Sequence, residues 1–400
     1  MADEQKVKET ENETPAEIAT EGEDSASKEL GTSRRSGDPL FDPTNMQVPP
    51  LDFRWSRVPT ERPPRPTIGP NGFLLRDADY GSYGWAPDRW PYENDTPRGS
   101  FPARDRGLPA PYTIYDKYQV WAENAADLYE EAIASRWSSA NDIRWGTLEP
   151  LSETRELALD QIYSWVSEQA YNSSSWISGW LKEISYGYHE VKLYLATQVF
   201  DHARHAEAFR KRALANGGGL GVESPGCLNR TVAASFKFTE LVLYINVIRS
   251  SIMLGLMEEL QKLDLAQADH QLAELAARDL KRHISYGTEH LKYYLQSQPQ
   301  KRNEVESWLL RGEVMAAADF RRDGPLRTAM ILVLGDTVAE GKTKRRELFK
   351  HMTERYLEAL EAATVYNRKE KLAPELLALF DPEAAAAAQE AYQAQFARRA

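Results

Sequence analysis

From Tyr115 onward apolar residues recur at intervals of three and four, the repeat of an amphipathic helix, and no stretch shows a convincing two-residue strand alternation. The pattern predicts helices over 116–136, from Ser152 or Glu153 to about Ala170, and over 190–215, 231–264, 267–298, 301–321, 325–334, 343–364 and 383–397. Residues 174–183 read as a short helix or a continuation of the one before. Asn216 and the glycines at 217, 218 and 219 are C-terminal punctuation for the 190–215 segment, whose 26 residues would span about 39 Å. Residues Leu241 to Met257 are almost all apolar, so the 231–264 helix should be central. Arg249 interrupts that run, which therefore falls short of the roughly 20 uncharged residues of a membrane span. Four long segments near 150–171, 187–215, 231–264 and 267–298 make an all-α bundle the expected fold, with extra helices C-terminal to it.

Proline marks a different regime: 16 of the 22 lie between Pro15 and Pro111, so the first 110 residues cannot hold long helices. Residues 1–40 read as a disordered acidic tail. Residues 1–30 alone hold ten acids and three lysines, and no aromatic occurs before Phe41. Residues 41–112 contain eleven aromatics from Phe41 to Tyr112, too many for a plain disordered linker, and read as an extended arm whose rings dock on the folded body or on a partner. The bundle then occupies 113–298 and a helical extension 299–400. Over residues 31–400, 46 bases face 50 acids, a balance that gives no electrostatic case for nucleic acid or an anionic membrane. The acidic start lacks the basic and apolar regions of a signal peptide. Cys227 is the only cysteine, which excludes an internal disulfide framework and cysteine-based metal clusters and points to a cytoplasmic location.

Candidate chemistry resides in one repeated pentapeptide. Asp201-His202-Ala203-Arg204-His205 and Asp279-Leu280-Lys281-Arg282-His283 both read D-x-x-R-H, on two different long helices. Asp and His four apart share a helical face, so two such faces can meet at a bundle axis. A second likeness, Ser185-Tyr186-Gly187 with Ser285-Tyr286-Gly287, has a spacing of 100 residues against 78 and reads as coincidence.

The pentapeptide pair resembles the D-E-x-R-H motif of the ferritin-like diiron carboxylate oxygenases, which include the ribonucleotide reductase small subunit and bacterial multicomponent monooxygenases. The resemblance covers about 115–365 and implies a ferritin-like four-helix bundle. In that family the motif Glu and His bind iron, further Glu residues come from the other two helices, and the Asp supports a histidine from behind. The resemblance puts His205 and His283 on the iron-binding histidines. It puts Asp201, Arg204, Asp279 and Arg282 on the supporting positions. His202 and Leu280 stand where the family has glutamates, and the residue three before each of the seven histidines is never Glu. Glu168 is the candidate for the first-helix acid. The corresponding third-helix position lies near Asn246 and Val247, with no carboxylate.

Oxygen-activating diiron centres need about four carboxylates to balance and bridge the ions, so this sequence argues against a standard one. Two readings of the centre remain. Glu168, His202, His205 and His283 could hold one metal ion, iron before zinc or copper. Alternatively, the histidines and arginines are satisfied by Asp201 and Asp279 in a metal-free polar core. The first makes the chain a metal-dependent oxidoreductase of oxygenase or hydroxylase type with a remodelled His-rich site, drawing electrons from a separate reductase, since no nucleotide-binding fingerprint occurs. The second makes it a non-catalytic structural or regulatory subunit of an oxygenase-type complex, with a protein partner or a second copy of itself. A third possibility is an apolar ligand in a cavity made greasier by Leu280 and Val247.

Overall fold

Helices supply the regular structure of the computed structural model, which describes residues 66–91, 97–100, 112–216, 218–222, 226–321 and 324–397. Among the described residues no strand forms, and β-pairing is limited to isolated bridges such as Ile114 with Ile184. The chain divides into Met1–Arg62 and Pro63–Ala400. The first unit, with the 1–40 tail and the start of the arm, lies outside the described residues.

We label the main helices α1 (Ala125–Ala134), α2 (Glu153–Leu181), α3 (His189–Ala215), α4 (Cys227–Ala233), α5 (Phe238–Leu260), α6 (Gln267–Ser297), α7 (Arg302–Arg321), α8 (Pro325–Leu334), α9 (Val338–Ala362) and α10 (Pro382–Ala397). The all-helical class matches the periodicity, and several boundaries move. Helix α2 runs on through Asn172 to Ser175 and ends at Leu181, so the 174–183 segment continues it and is not a short helix of its own. The Asn172 amide and the Ser173 and Ser175 hydroxyls return to carbonyls four residues back, so they do not compete with the helix. The single helix expected over 231–264 is two, because the chain turns through 234–237 with Lys237 extended before α5 begins. Helix α9 starts at Val338, earlier than the apolar pattern indicates. Thr337 Oγ1 accepts from the Glu340 amide at 3.2 Å, a cap that the apolar pattern does not register.

Helix α2 packs along α3, α5 along α6, and α3 meets α6. Helix α8 covers α2, and α9 lies against α5 and α6. The apolar helix α5 is long and apolar enough to cross a membrane, yet its apolar window is wholly buried inside the protein. Its middle, Leu243–Arg249, is a π-helix. The wider turn changes the phase of the helix, so Asn246 reaches α3 and α6 whereas Arg249 reaches α2 and α4.

Of the described arm aromatics, Trp90 is buried against Gly187, where a Cβ would lie 2.4 Å from the indole. Phe73, Tyr80, Tyr83 and Trp85 remain largely exposed. Arg98 fastens this part of the arm: its guanidinium donates to both Glu190 carboxylate oxygens and to the carbonyl of Gly187.

Candidate functional site

The two D-x-x-R-H motifs face each other where α3 meets α6. Their helical spacing points Asp, Arg and His of each motif into the same contact, and all six side chains are buried. The pairing is reciprocal. Arg204 Nη2 donates to Asp201 at 2.5 Å in its own motif and to Asp279 at 2.8 Å in the other; Arg282 Nη2 donates to Asp279 at 2.5 Å and to Asp201 at 3.0 Å. The histidines cross over, with His205 Nε2 3.0 Å from Asp279 Oδ2 and His283 Nε2 3.3 Å from Asp201 Oδ2. Trp137 adds an indole N–H to Asp279 at 2.8 Å and stacks its ring under the Arg204 guanidinium.

Electrostatics follow from this closure. Burial opposes ionisation of Asp279, but the hydrogen bond with His205 and the cations of Arg282 and Arg204 hold its carboxyl well below the usual carboxylate range. Burial, with His283, His205 and Arg249 nearby, drives the His202 imidazole well below its ordinary value and keeps it neutral. Burial also lowers His283, although Asp201 works against it.

A small cavity of about 20 Å³ adjoins the cluster. It is lined by Gln169 and Ser173 of α2, His202 and His205 of α3, Arg249 of α5, Leu280 of α6 and several apolar side chains, and no carboxylate lines it. Glu168 is not among these residues. The inward stripe of α2 is Val166, Gln169, Ala170 and Ser173, spaced three and four apart, and Glu168 sits half-buried at its edge. Gln169 therefore occupies the place that the sequence reading gives to Glu168. Val247 does not line the cavity either; because of the π-turn, α5 presents Arg249 there.

The structure thus brings His202, His205 and His283 together, with ring centroids 4.5 Å apart for His202 and His283 and 6.2 Å for His205 and His283. It does not bring them to a common ligand point with Glu168. Among the described residues, the only three His, Asp or Glu side chains whose donor atoms all lie within 4.8 Å of one another are Asp79, His189 and Glu190. That group is an ion-pair network: His189 Nε2 is held by Asp79 at 2.8 Å and Glu190 by Arg98. No family model, curated protein or solved structure matches this chain.

Three participants, Gln169, Arg249 and Trp137, carry no motif signal, and a fourth, Asn246, is marked in the sequence only as a position without a carboxylate. Gln169 hides beside a more obvious acid. Arg249 looks like an interruption in an apolar run. Asn246 donates to Gln198 Oε1 at 3.1 Å and to the His283 carbonyl at 2.9 Å, fixing both motif helices to α5. Trp137 comes from the loop after α1, which no motif connects to the centre.

Proposed function

We propose that this chain is a ferritin-like bundle that keeps the supporting residues of a diiron centre without the centre itself, and that it serves as a non-catalytic structural or regulatory subunit of an oxygenase-type complex. The observation that carries this reading is the inversion of charge in the cavity. The positions that would have to offer anionic oxygens hold Gln169, His202, Leu280 and a guanidinium, Arg249. A buried cation beside the neutral His202 imidazole repels a metal ion, and the two aspartates are already occupied by Arg204, Arg282 and the histidines. The donor set does not fit a diiron centre, and no reaction step is assigned to one. The ion cluster instead fastens α3 to α6, and the exposed rings of Phe73 and Trp85 give the arm apolar surface for a protein partner.

One observation favours the alternative, a remodelled single-metal oxidoreductase: His283 Nδ1 is buried with no partner. A ring held through Nε2 by Asp201 would present this second nitrogen to a metal.

The two readings separate by restoration. In Gln169→Glu, His202→Glu, Arg249→Glu and Leu280→Glu combined, four positions of the cavity that His205 lines become carboxylates. Anaerobic Fe(II) should raise the melting temperature of this variant and leave the wild type unchanged. A ferrous-dependent rise in the wild type, abolished in His283→Ala, would establish the alternative and does not require the fourfold variant to fold.

A further inference from the structure

Arg249 is buried to 4% exposure, and its direct partners are both neutral. Nη1 donates to Ser173 Oγ at 2.8 Å and Nη2 donates to Asn229 Oδ1. No carboxylate among the described residues lies in ion-pair contact with it; Asp319 and Glu168 act only through space. Its Nε has no acceptor at all. Gln169, on the facing helix, likewise has a buried Nε2 with no acceptor. Both residues line the same cavity, whose remaining walls are imidazole, hydroxyl and apolar side chains.

Every unsatisfied polar atom of those lining residues is therefore a donor, and the formal charge at the wall is positive. Burying such a charge unpaired is costly, and a missing acceptor adds to the cost. A water molecule could accept from Gln169, but it would leave the guanidinium with no anion in contact. The cavity is large enough for one water-sized species and too small for an organic acid.

We propose that the central cavity binds a single small monovalent anion of halide size, held by Arg249 and Gln169. The inference rests on the reading that no metal occupies this cavity and extends it: the anion takes the place of a cation. Burial, opposed through space by Asp319 and Glu168, lowers the Arg249 guanidinium to about 10, still charged at neutral pH, so the anion would meet a full positive charge.

Chloride is the probe. Melting temperatures are compared in sodium chloride, sodium bromide and sodium gluconate at one ionic strength, gluconate being too large to enter. With about 150 mM halide the wild type should melt about 2 °C or more above its gluconate value, rising with the logarithm of halide concentration. In Gln169→Leu and Arg249→Met that difference should vanish. If the arginine variant fails to fold, the glutamine variant still decides. In bromide-soaked crystals, anomalous density should lie between residues 169 and 249. Equal melting in chloride and gluconate, or a halide response that persists in Gln169→Leu, would overturn the anion site. Metal content is a separate readout, so failure here leaves the metal-free reading standing, and a bound metal would refute that reading whatever the halide result.

Discussion

At the scale of single residues, Asp279 is the hub of the polar core. It accepts from Arg204, Arg282 and Trp137 and pairs with His205. Removing it leaves two buried guanidinium groups short of their shared partner, so Asp279→Ala should cost about 3–5 kcal/mol, measured by chemical denaturation. The sign of the pH dependence is fixed by the direction of its shift. A carboxyl depressed in the folded state adds stability above the ordinary carboxylate pKa, and that stability is lost as pH falls. The gap between wild type and Asp279→Ala should therefore be full at pH 7 and narrow from about pH 4 downward. A gap that does not change with pH would mean that Asp279 is not ionised in the fold.

Residue spacing explains what could and could not be read in advance. Asp, Arg and His at positions one, four and five of a helical pentapeptide must share a face, so the meeting of the two motifs follows from local geometry. Glu168 against Gln169 is a matter of one residue, or about 100° of helical rotation, and the inward face depends on packing that the motif does not encode. Arg249 was hidden for a different reason: only the π-turn, a product of tertiary packing in α5, brings it to the cavity.

Among elements, the contact between α2 and the loop after α3 carries an unbalanced charge. Glu156, Asp160 and Asp269 share one buried cation, Arg212, which donates to Glu156 at 2.6 Å and to Asp269 at 2.7 Å. Asp160 is left with neither oxygen partnered and with Gly218 closed over it; a Cβ at Gly218 would lie 1.6 Å from Asp160 Oδ2. The loop is held beside it by Gln161, whose amide exchanges two hydrogen bonds with the Val222 backbone, and by Ser164, which accepts from the Gly221 amide. Burial, aided by Glu156 and Asp269 against Arg212, raises the Asp160 carboxyl to about 6. Here the folded state holds the extra proton, so stability falls as pH rises between the ordinary carboxylate value and about 6. Asp160→Asn should thus be more stable than wild type at pH 7.5 by about 1–2 kcal/mol and no more stable at pH 4. A variant less stable than wild type at pH 7.5 would show that the carboxylate has a partner in solution. Gly218→Ala should destabilise by about 1–3 kcal/mol through the same contact.

For the whole molecule, the arm and the centre make separate predictions. Arg98 joins the arm to the start of α3, and Trp90 packs beside Gly187. Arg98→Met should expose residues 66–91 to limited proteolysis while the helical signal in far-ultraviolet circular dichroism stays unchanged. Unchanged cleavage would mean that the other contacts, among them Asp79 with His189 and Arg89 with Asp116, hold the arm without Arg98. The helical class and the order of the long helices follow from the 3.6-residue repeat. The docking of the arm does not, since it rests on scattered contacts in a stretch without periodicity: Arg98 with Glu190, Asp79 with His189, the Trp90 amide with the Tyr115 carbonyl, and the Trp90 indole beside Gly187. The central claim is that the paired motifs close on each other as an ion cluster in place of a metal centre. Its most direct measurement is the metal content of the protein purified without chelator and then equilibrated with Fe(II) and Zn(II), determined by mass spectrometry against protein concentration. Far less than one metal per chain is expected, equal in the wild type and in His205→Ala and His283→Ala. About one metal per chain, lost in both variants, would contradict it.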